Sequence, residues 1–560
     1  MKHFLLLAAL LLPAATLPAQ DDAAAGYRPG AVPVELTKDW AILEGGRFKP
    51  LDSFARELLV QVSGRRSSEL DGISALELMW GVVLDPDAFL SRPYVRIDNN
   101  DLKQQLGLNP SERRFPFTTL AASSELNRIA MAGFQKDEAG DTPTPVERDA
   151  MLVWNKLQRL DQLAAGKSLA IVPATEAGQP WLSPAALIGA PEGMPGQEVV
   201  APWEKLKSAF QAADAAAFAE AAGELGPILR RLGGDSYPAA SDLALEVRYN
   251  EWDLFGKASL LYLVGFLILL TIGRGKERLM YKVGLGVVGL GFLGHGAGIV
   301  MRWLIAGRAP VSDMFESLVF MGWGVIAIGI VLEQVYRKGF FGMAAGSLGF
   351  IALAAARWLP PTVMDSSIRP LMPVLRNTSW LSIHVMTIML SYSAFALAMG
   401  IGHIVMFKQL FQPGRTNQLR TLSTLLYKTI QVGVLFLGAG IAFGAIWANE
   451  SWGRYWGWDP KETWSAITFF VYLAVIHARY AGWIHNFGLA ASSIASFMAV
   501  LFTYYGVNYV LGAGLHAYGR GTGGQIYVFS YLGAELLLVL AALWRYNLAV
   551  KTGRITPAVD

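Results

Sequence analysis

From Trp447 to Trp464 the chain reads W-A-N-E-S-W-G-R-Y-W-G-W-D-P-K-E-T-W, with indoles at Trp447, Trp452, Trp456, Trp458 and Trp464. A membrane-interface belt usually needs one or two tryptophans per helix end. This density instead suits an aromatic shelf for a flat ligand, although Trp447 and Trp464 would also serve as simple interface anchors. The histidines bring a second chemistry, because a neutral imidazole is a good ligand for iron. His295, His384, His403, His477, His485 and His516 all lie in the second half, and only His3 precedes them. The chain has no cysteine. That excludes disulfides, thiolate metal sites and thiol redox chemistry, and without C-x-x-C-H the chain is not itself a c-type cytochrome.

These residues must be held by a largely apolar protein. Of the 560 residues 53 % are hydrophobic and 16 % charged, which predicts a polar part joined to a polytopic membrane part. The formal charge of +3 comes with no long basic run, so nucleic acid is not an expected partner. Residues 1–20 carry Lys2, an apolar run and then small residues, the pattern of a signal peptide. Residues 21–253 mix helical periodicity with Pro and Gly breaks and predict a mainly helical extracytoplasmic domain without a catalytic constellation.

Residues 254–550 predict an all-α polytopic domain of about nine spans, near 258–273, 281–305, 317–336, 340–356, 382–407, 429–448, 464–481, 488–509 and 526–547, followed by a cytoplasmic tail, 551–560. Alternating these spans gathers Arg274, Lys276, Arg337, Lys338, Lys408, Arg479 and Arg545 on one side, which the positive-inside rule assigns to the cytoplasm. The tryptophan stretch then falls outside, as do His384 at the start of the fifth span and His516 just past the eighth. His477 lies towards the inner end of the seventh span and His295 in the middle of the second, depths at which an ionisable group is a functional candidate.

The phrase W-G-R-Y-W-G-W-D-P-K-E-T-W resembles the tryptophan-rich WWD signature of the CcsA/ResC-type haem-handling proteins of cytochrome c biogenesis (system II), and the resemblance runs over roughly residues 254–550. It implies cytochrome c maturation in the bacterial inner membrane. Haem b, the bound substrate, would be held by His384 and His516 as axial ligands beside Trp452, Trp456, Trp458 and Asp459. His477 would receive haem within the membrane. The haem would be presented for thioether attachment to the CxxCH motif of apocytochrome c, making the chain a component of a cytochrome c synthase (haem lyase). A CcsB/ResB-type partner subunit would supply the second intramembrane ligand; His295 is the internal candidate. Arg302, Arg308 and Arg454 are candidates for the haem propionates. Asp459 suits helix capping equally well, and Glu316 reads as a cap. The segment Gly45–Leu59 resembles one that precedes the membrane core in some members. His403 and His485 read as structural. A haem transporter without ligation activity and a transmembrane electron-transfer haem protein are the alternatives.

Overall fold

The computed structural model describes residues 29–553 except 67–68, 175, 177, 192, 272–276, 372–378, 412–415 and 512–523. The expected signal peptide, His516 and most of the expected tail lie outside the described residues.

Residues 30–252 build a helical unit with three two-stranded antiparallel sheets. Its core includes Trp40, Trp80 and Trp203, with Phe54, Phe210 and Phe218 fully buried around them. The Trp80 Nε1–H donates to Thr37 Oγ1 at 2.8 Å, so the buried indole keeps its polar edge satisfied. Helix starts follow the sequence grammar: Ser74 with Glu77, and Thr144 with Glu147, form capping boxes. The first hairpin pairs Ala41–Glu44 with Arg47–Pro50. Its tip is Gly45-Gly46, at φ of 59° and 78°. Two successive positive φ values are what a two-residue type I′ turn requires, and glycine adopts them without a Cβ clash. Arg47 donates from both terminal nitrogens to Glu246 at 2.7 and 2.8 Å, which fastens the hairpin to the last helix of this unit.

That helix, α1 (Ala240–Trp252), leads into α2 (Leu254–Leu269) through Asp253 alone. Asp253 takes a left-handed φ of 40°, caps α2 by accepting from the Gly256 N–H, and pairs with Arg357 at 2.5 Å. The remaining membrane elements are α3 (Glu277–Ala306), α4 (Met314–Tyr336), α5 (Phe340–Trp358), α6 (Ser379–Phe411), α7 (Thr416–Trp452), α8 (Pro460–Tyr480), α9 (Asn486–Leu501) with a π-helical continuation Phe502–Leu511, and α10 (Gln525–Lys551). Among the described residues eight helices are long and apolar enough to cross a membrane. The seventh expected span, 464–481, is α8, whose 21 residues carry Lys461 and Glu462 at one end and His477 and Arg479 at the other, and it is not among those eight. The first span is longer than expected because the polar α1 runs on into it, giving a single stretch Ala240–Leu269.

Packing follows small residues and buried polar pairs. A Cβ on Gly329 would meet the Ala345 methyl at 2.5 Å, so α4 and α5 touch nearly backbone to backbone. Phe395 of α6 stacks on Tyr472 of α8 at 3.6 Å between ring centroids. Glu333, 1 % exposed, accepts from the N–H groups of Gly339, Phe341 and Gly342 and from Tyr281, capping α5 from the preceding helix. The Arg302 guanidinium is 1 % exposed; it donates to Glu316 at 3.0 Å and to the carbonyls of Ser366 and Ser367.

Candidate functional site

His384 sits in the second turn of α6 and reaches across to α7. Its Nδ1 lies 2.7 Å from the Gly440 carbonyl. A carbonyl only accepts, so Nδ1 carries the proton and Nε2 the lone pair, the tautomer that a metal-ligating histidine presents. Gly444, one helical turn on, faces the same ring: a Cβ there would fall 2.5 Å from Cε1 and 2.6 Å from Nδ1. Two glycines four residues apart on one face of α7 therefore make the seat. The ring is parallel to Trp447 within 8°, with centroids 6.3 Å apart, and Trp447 is itself 1 % exposed and edge-on to Trp452.

His384, Trp447 and Trp456 line one cavity of about 1060 Å³. This is at the upper end of the roughly 300–1,000 Å³ usual for small-molecule sites, and large for a planar macrocycle alone. Its walls carry Tyr392 and Tyr504 on one side and Arg308, Asp313, Lys461 and Glu462 on another, while Gly46 and Arg47 of the hairpin tip form part of its rim. Trp456 has a buried Nε1–H without an acceptor among the described residues. Burial and the neighbouring Glu316 charge push the Asp313 carboxyl up. An aromatic wall and one imidazole with a fixed lone pair suit a flat, metal-bearing ligand, and among the wall charges Arg308 and Lys461 stand against Asp313 and Glu462, two of each sign.

The other expected site residues are placed as follows. Trp456 meets Trp458 edge to face at 5.8 Å. Trp458 is 75 % exposed and has a φ of 57°, an outlier for so bulky a residue and a form of strain that concentrates at functional sites. Asp459 is 6 % exposed and caps α8: its Oδ1 accepts from the Lys461 N–H at 2.9 Å, while Glu462 reaches back to the Asp459 and Gly457 N–H groups. Arg454 lies over Trp452 and 3.6 Å from Glu462. Of the three arginines named for propionates, Arg308 lines this cavity while paired with Glu316 at 2.7 Å, and Arg302 is held by the same Glu316 and by two carbonyls.

His477 is exposed on α8, with Nδ1 2.7 Å from the Leu473 carbonyl. It lies sixteen residues beyond Lys461, about 24 Å along the helix at 1.5 Å per residue, so it occupies a different depth from His384. His295 is fully buried between helices, 3.1 Å from the Tyr262 hydroxyl and edge-on to Phe255, and does not line the cavity. His403, read from sequence as structural, has Nδ1 on the Met399 carbonyl and Nε2 2.8 Å from Glu535 of α10. The seat glycines, Asp313 and the hairpin rim were not singled out from sequence as parts of the site. The four-residue glycine spacing in G-A-G-I-A-F-G is the only local sign of the seat.

Residues 311–516 match the family model described as cytochrome C assembly protein. Protein NrfI of Wolinella succinogenes is 30 % identical over 540 residues, covering 91 % of this chain and 57 % of that protein. This chain thus spans little more than half the length of that relative. Cytochrome c biogenesis protein CcsA of Prochlorococcus marinus is 34 % identical over 255 residues, 40 % of this chain and 80 % of that protein. CcsA of Parasynechococcus marenigrum is 35 % identical over 251 residues, with 40 % and 81 % covered.

Proposed function

Starting from the fact that this chain belongs to the CcsA-type family of cytochrome c biogenesis proteins, we propose that it binds haem b in the tryptophan-walled cavity and presents it to apocytochrome c for covalent attachment. The observation that carries the reading is the His384 seat. Nδ1–H is committed to the Gly440 carbonyl, so Nε2 offers its lone pair beside Trp447. His384 serves as one axial ligand. His516, in the segment outside the described residues, serves as the other, and a bis-imidazole pair holds the iron six-coordinate. Arg308 in the cavity wall meets a propionate by giving up part of its pairing with Glu316, and Trp456 covers a macrocycle face. Trp452, Trp458 and Asp459 hold the loop that carries this wall.

Thioether formation then adds the substrate's S–H across each vinyl group. The S–H bond and the C=C π bond break, an S–C and a C–H bond form, and nothing is oxidised or reduced in that step. The thiols belong to the apocytochrome, which fits a chain without cysteine. What this chain contributes is position and the exclusion of water.

His477, facing outwards from α8 at a second depth, suits a haem that passes through the membrane and is shared with a CcsB/ResB-type subunit. The helical unit of residues 30–252 lies on the outer face of the inner membrane with the WWD loop, and its hairpin tip bounds the haem cavity. His295 is held at Nδ1 by Tyr262, while its Nε2 is buried without a hydrogen-bond partner among the described residues, and it stays the internal candidate for the second intramembrane ligand.

Absorption spectra of the purified full chain from cells co-expressing a c-type apocytochrome, with and without the partner subunit, test the proposal. Co-purified six-coordinate haem, altered by His384→Ala and by His516→Ala, is expected. Covalent cytochrome formed without the partner would make this chain a synthase alone. Haem that is bound while no covalent cytochrome forms under any condition favours a transporter. No haem in any preparation, with normal cytochrome maturation in both variants, refutes the reading.

A further inference from the structure

A second and larger cavity, about 1980 Å³, lies where the outer helical unit meets the ends of the membrane helices. Six basic residues of the outer unit line it, Arg65, Arg66, Lys103, Arg113, Arg148 and Lys156, and none has a carboxylate at ion-pair distance among the described residues. Other cations in the same walls are paired, Arg96 with Asp98, Arg357 with Asp253 and Arg369 with Asp365. Against these six stands one wall carboxylate without a cation among the described residues, Asp149, which accepts from Asn99, so the recess keeps a surplus of positive charge. Arg66 reaches down to the Ala356 carbonyl at the end of α5, yet its Nε and second terminal nitrogen are buried without an acceptor. Buried donors are nearly always satisfied, and a ligand oxygen would satisfy these. Arg148 and Lys156, eight residues apart with Leu152 between them, place two charges along one face of the helix Pro145–Ala164. Among the described residues the Arg96 carbonyl is the one hydrogen-bond partner of Lys156, and burial pulls its ammonium down to about 8.

The opposite wall is of another character. Phe255, Phe315, Leu353, Trp358 and Tyr527 come from the ends of α2, α4, α5 and α10. Trp358 and Tyr527 are 58 % and 49 % exposed, the pair of residue types that settles at the boundary between hydrocarbon and water. Below Tyr527, α10 exposes Leu536 and Leu537, so its side faces lipid. Cations above and an aromatic, lipid-facing wall below reproduce the layering of an anionic lipid, with phosphate over hydrocarbon. A soluble acidic peptide would use the cations and leave the apolar wall unexplained.

We propose that this cavity is a binding site for an anionic phospholipid of the outer leaflet, with the phosphate among Arg66, Arg148 and Lys156 and the acyl chains running past the ends of α5 and α10. The site is independent of the haem reading.

The test is native mass spectrometry of the detergent-solubilised full chain given phosphatidylglycerol or phosphatidylcholine of identical acyl chains. Selective retention of phosphatidylglycerol is expected. Arg148→Gln with Lys156→Gln should weaken it about 30-fold, taking roughly 1 kcal/mol per basic residue near a membrane surface. The exposed pair Arg65→Gln with Arg113→Gln gives a second reading at positions where substitution does not threaten folding. Equal retention of the two lipids, or retention unchanged in both double variants, overturns the proposal. So does displacement of the lipid by millimolar inorganic phosphate, which would mark a free-anion site, or by a polyglutamate peptide, which would mark a polypeptide site.

Discussion

Gly444→Ala places one methyl group where the His384 imidazole now lies. The new Cβ would be 2.5 Å from Cε1 and 2.6 Å from Nδ1, and ordinary contact begins near 3.4 Å. Either the ring moves about 0.9 Å or α7 moves away from α6. The 2.7 Å bond from Nδ1 to Gly440 points at the same face of α7, so a shift of that size stretches it past hydrogen-bond range. Loss of the partner that orients a ligating histidine typically weakens the metal site about 10–100-fold, or about 1.4–2.8 kcal/mol. The helix itself gains, because alanine favours an α-helix over glycine by about 0.8–1.0 kcal/mol. The variant is therefore expected to stay folded while losing haem. The assay is haem titration of the purified apoprotein, followed by the six-coordinate Soret and α-band spectrum, beside Gly533→Ala as a control whose new Cβ meets nothing within 4 Å. A Gly444→Ala protein that binds haem as tightly as the control, with an unaltered spectrum, refutes the argument that His384 is seated for ligation.

Three more expectations concern stability. Removing Arg302 by Arg302→Ala leaves Glu316 buried with Arg308 as its remaining cation, at a cost near the low end of the about 3–5 kcal/mol typical of a broken buried pair; thermal unfolding in detergent measures it, and a shift below the error of the method contradicts it. With His403 Nδ1–H on the Met399 carbonyl, Nε2 faces Glu535 and needs a donor opposite it whenever the ring is neutral. Glu535→Gln supplies an N–H and should unfold within about 1 kcal/mol of wild type, while Glu535→Ala should lose about 1–3 kcal/mol; the reverse order rules this pairing out. Lys156 sits below the ordinary lysine value of 10.5, near 8, because burial disfavours its charge. The unfolded chain therefore holds the extra proton between those values, and stability rises with pH from about 8 to about 10.5 in lipid-free protein. Lys156→Met should remove that rise, as read from unfolding midpoints across the range.

Hydropathy located the membrane helices because a span must be apolar along nearly its whole length, as in Phe340–Trp358 and Met314–Tyr336. The polar α1 ahead of the first span carries no hydropathy signal, and it meets α2 at Asp253, whose left-handed φ leaves no mark in composition. The capping boxes of Ser74, Thr144 and Asp459 were written locally, in three or four residues, and Asp459 was legible as a cap for that reason. Partnerships across long separations were not. Glu316 read as a local cap, yet Arg302 and Arg308 enclose it, and His403 read as structural although Glu535, 132 residues away, faces its ring. The tryptophan cluster and His384 stood out by type and density. The cavity that joins Trp447, Trp456, Arg308 and Asp313 required the fold, because its walls come from segments separated by more than a hundred residues.

The exposed, left-handed Trp458 gives this protein an optical handle that needs no label. An indole 75 % open to solvent emits at long wavelength, unlike the enclosed Trp80 and Trp447. Any macromolecule that settles on the loop and dries that ring must move the emission to the blue, and a porphyrin brought close must quench it by energy transfer. Replacing Trp458 with phenylalanine and subtracting the two spectra isolates that signal from the other sixteen indoles of the chain. The order in which the blue shift and the quenching appear after mixing would separate arrival of a polypeptide from loading of the pigment, in real time and in the intact membrane protein.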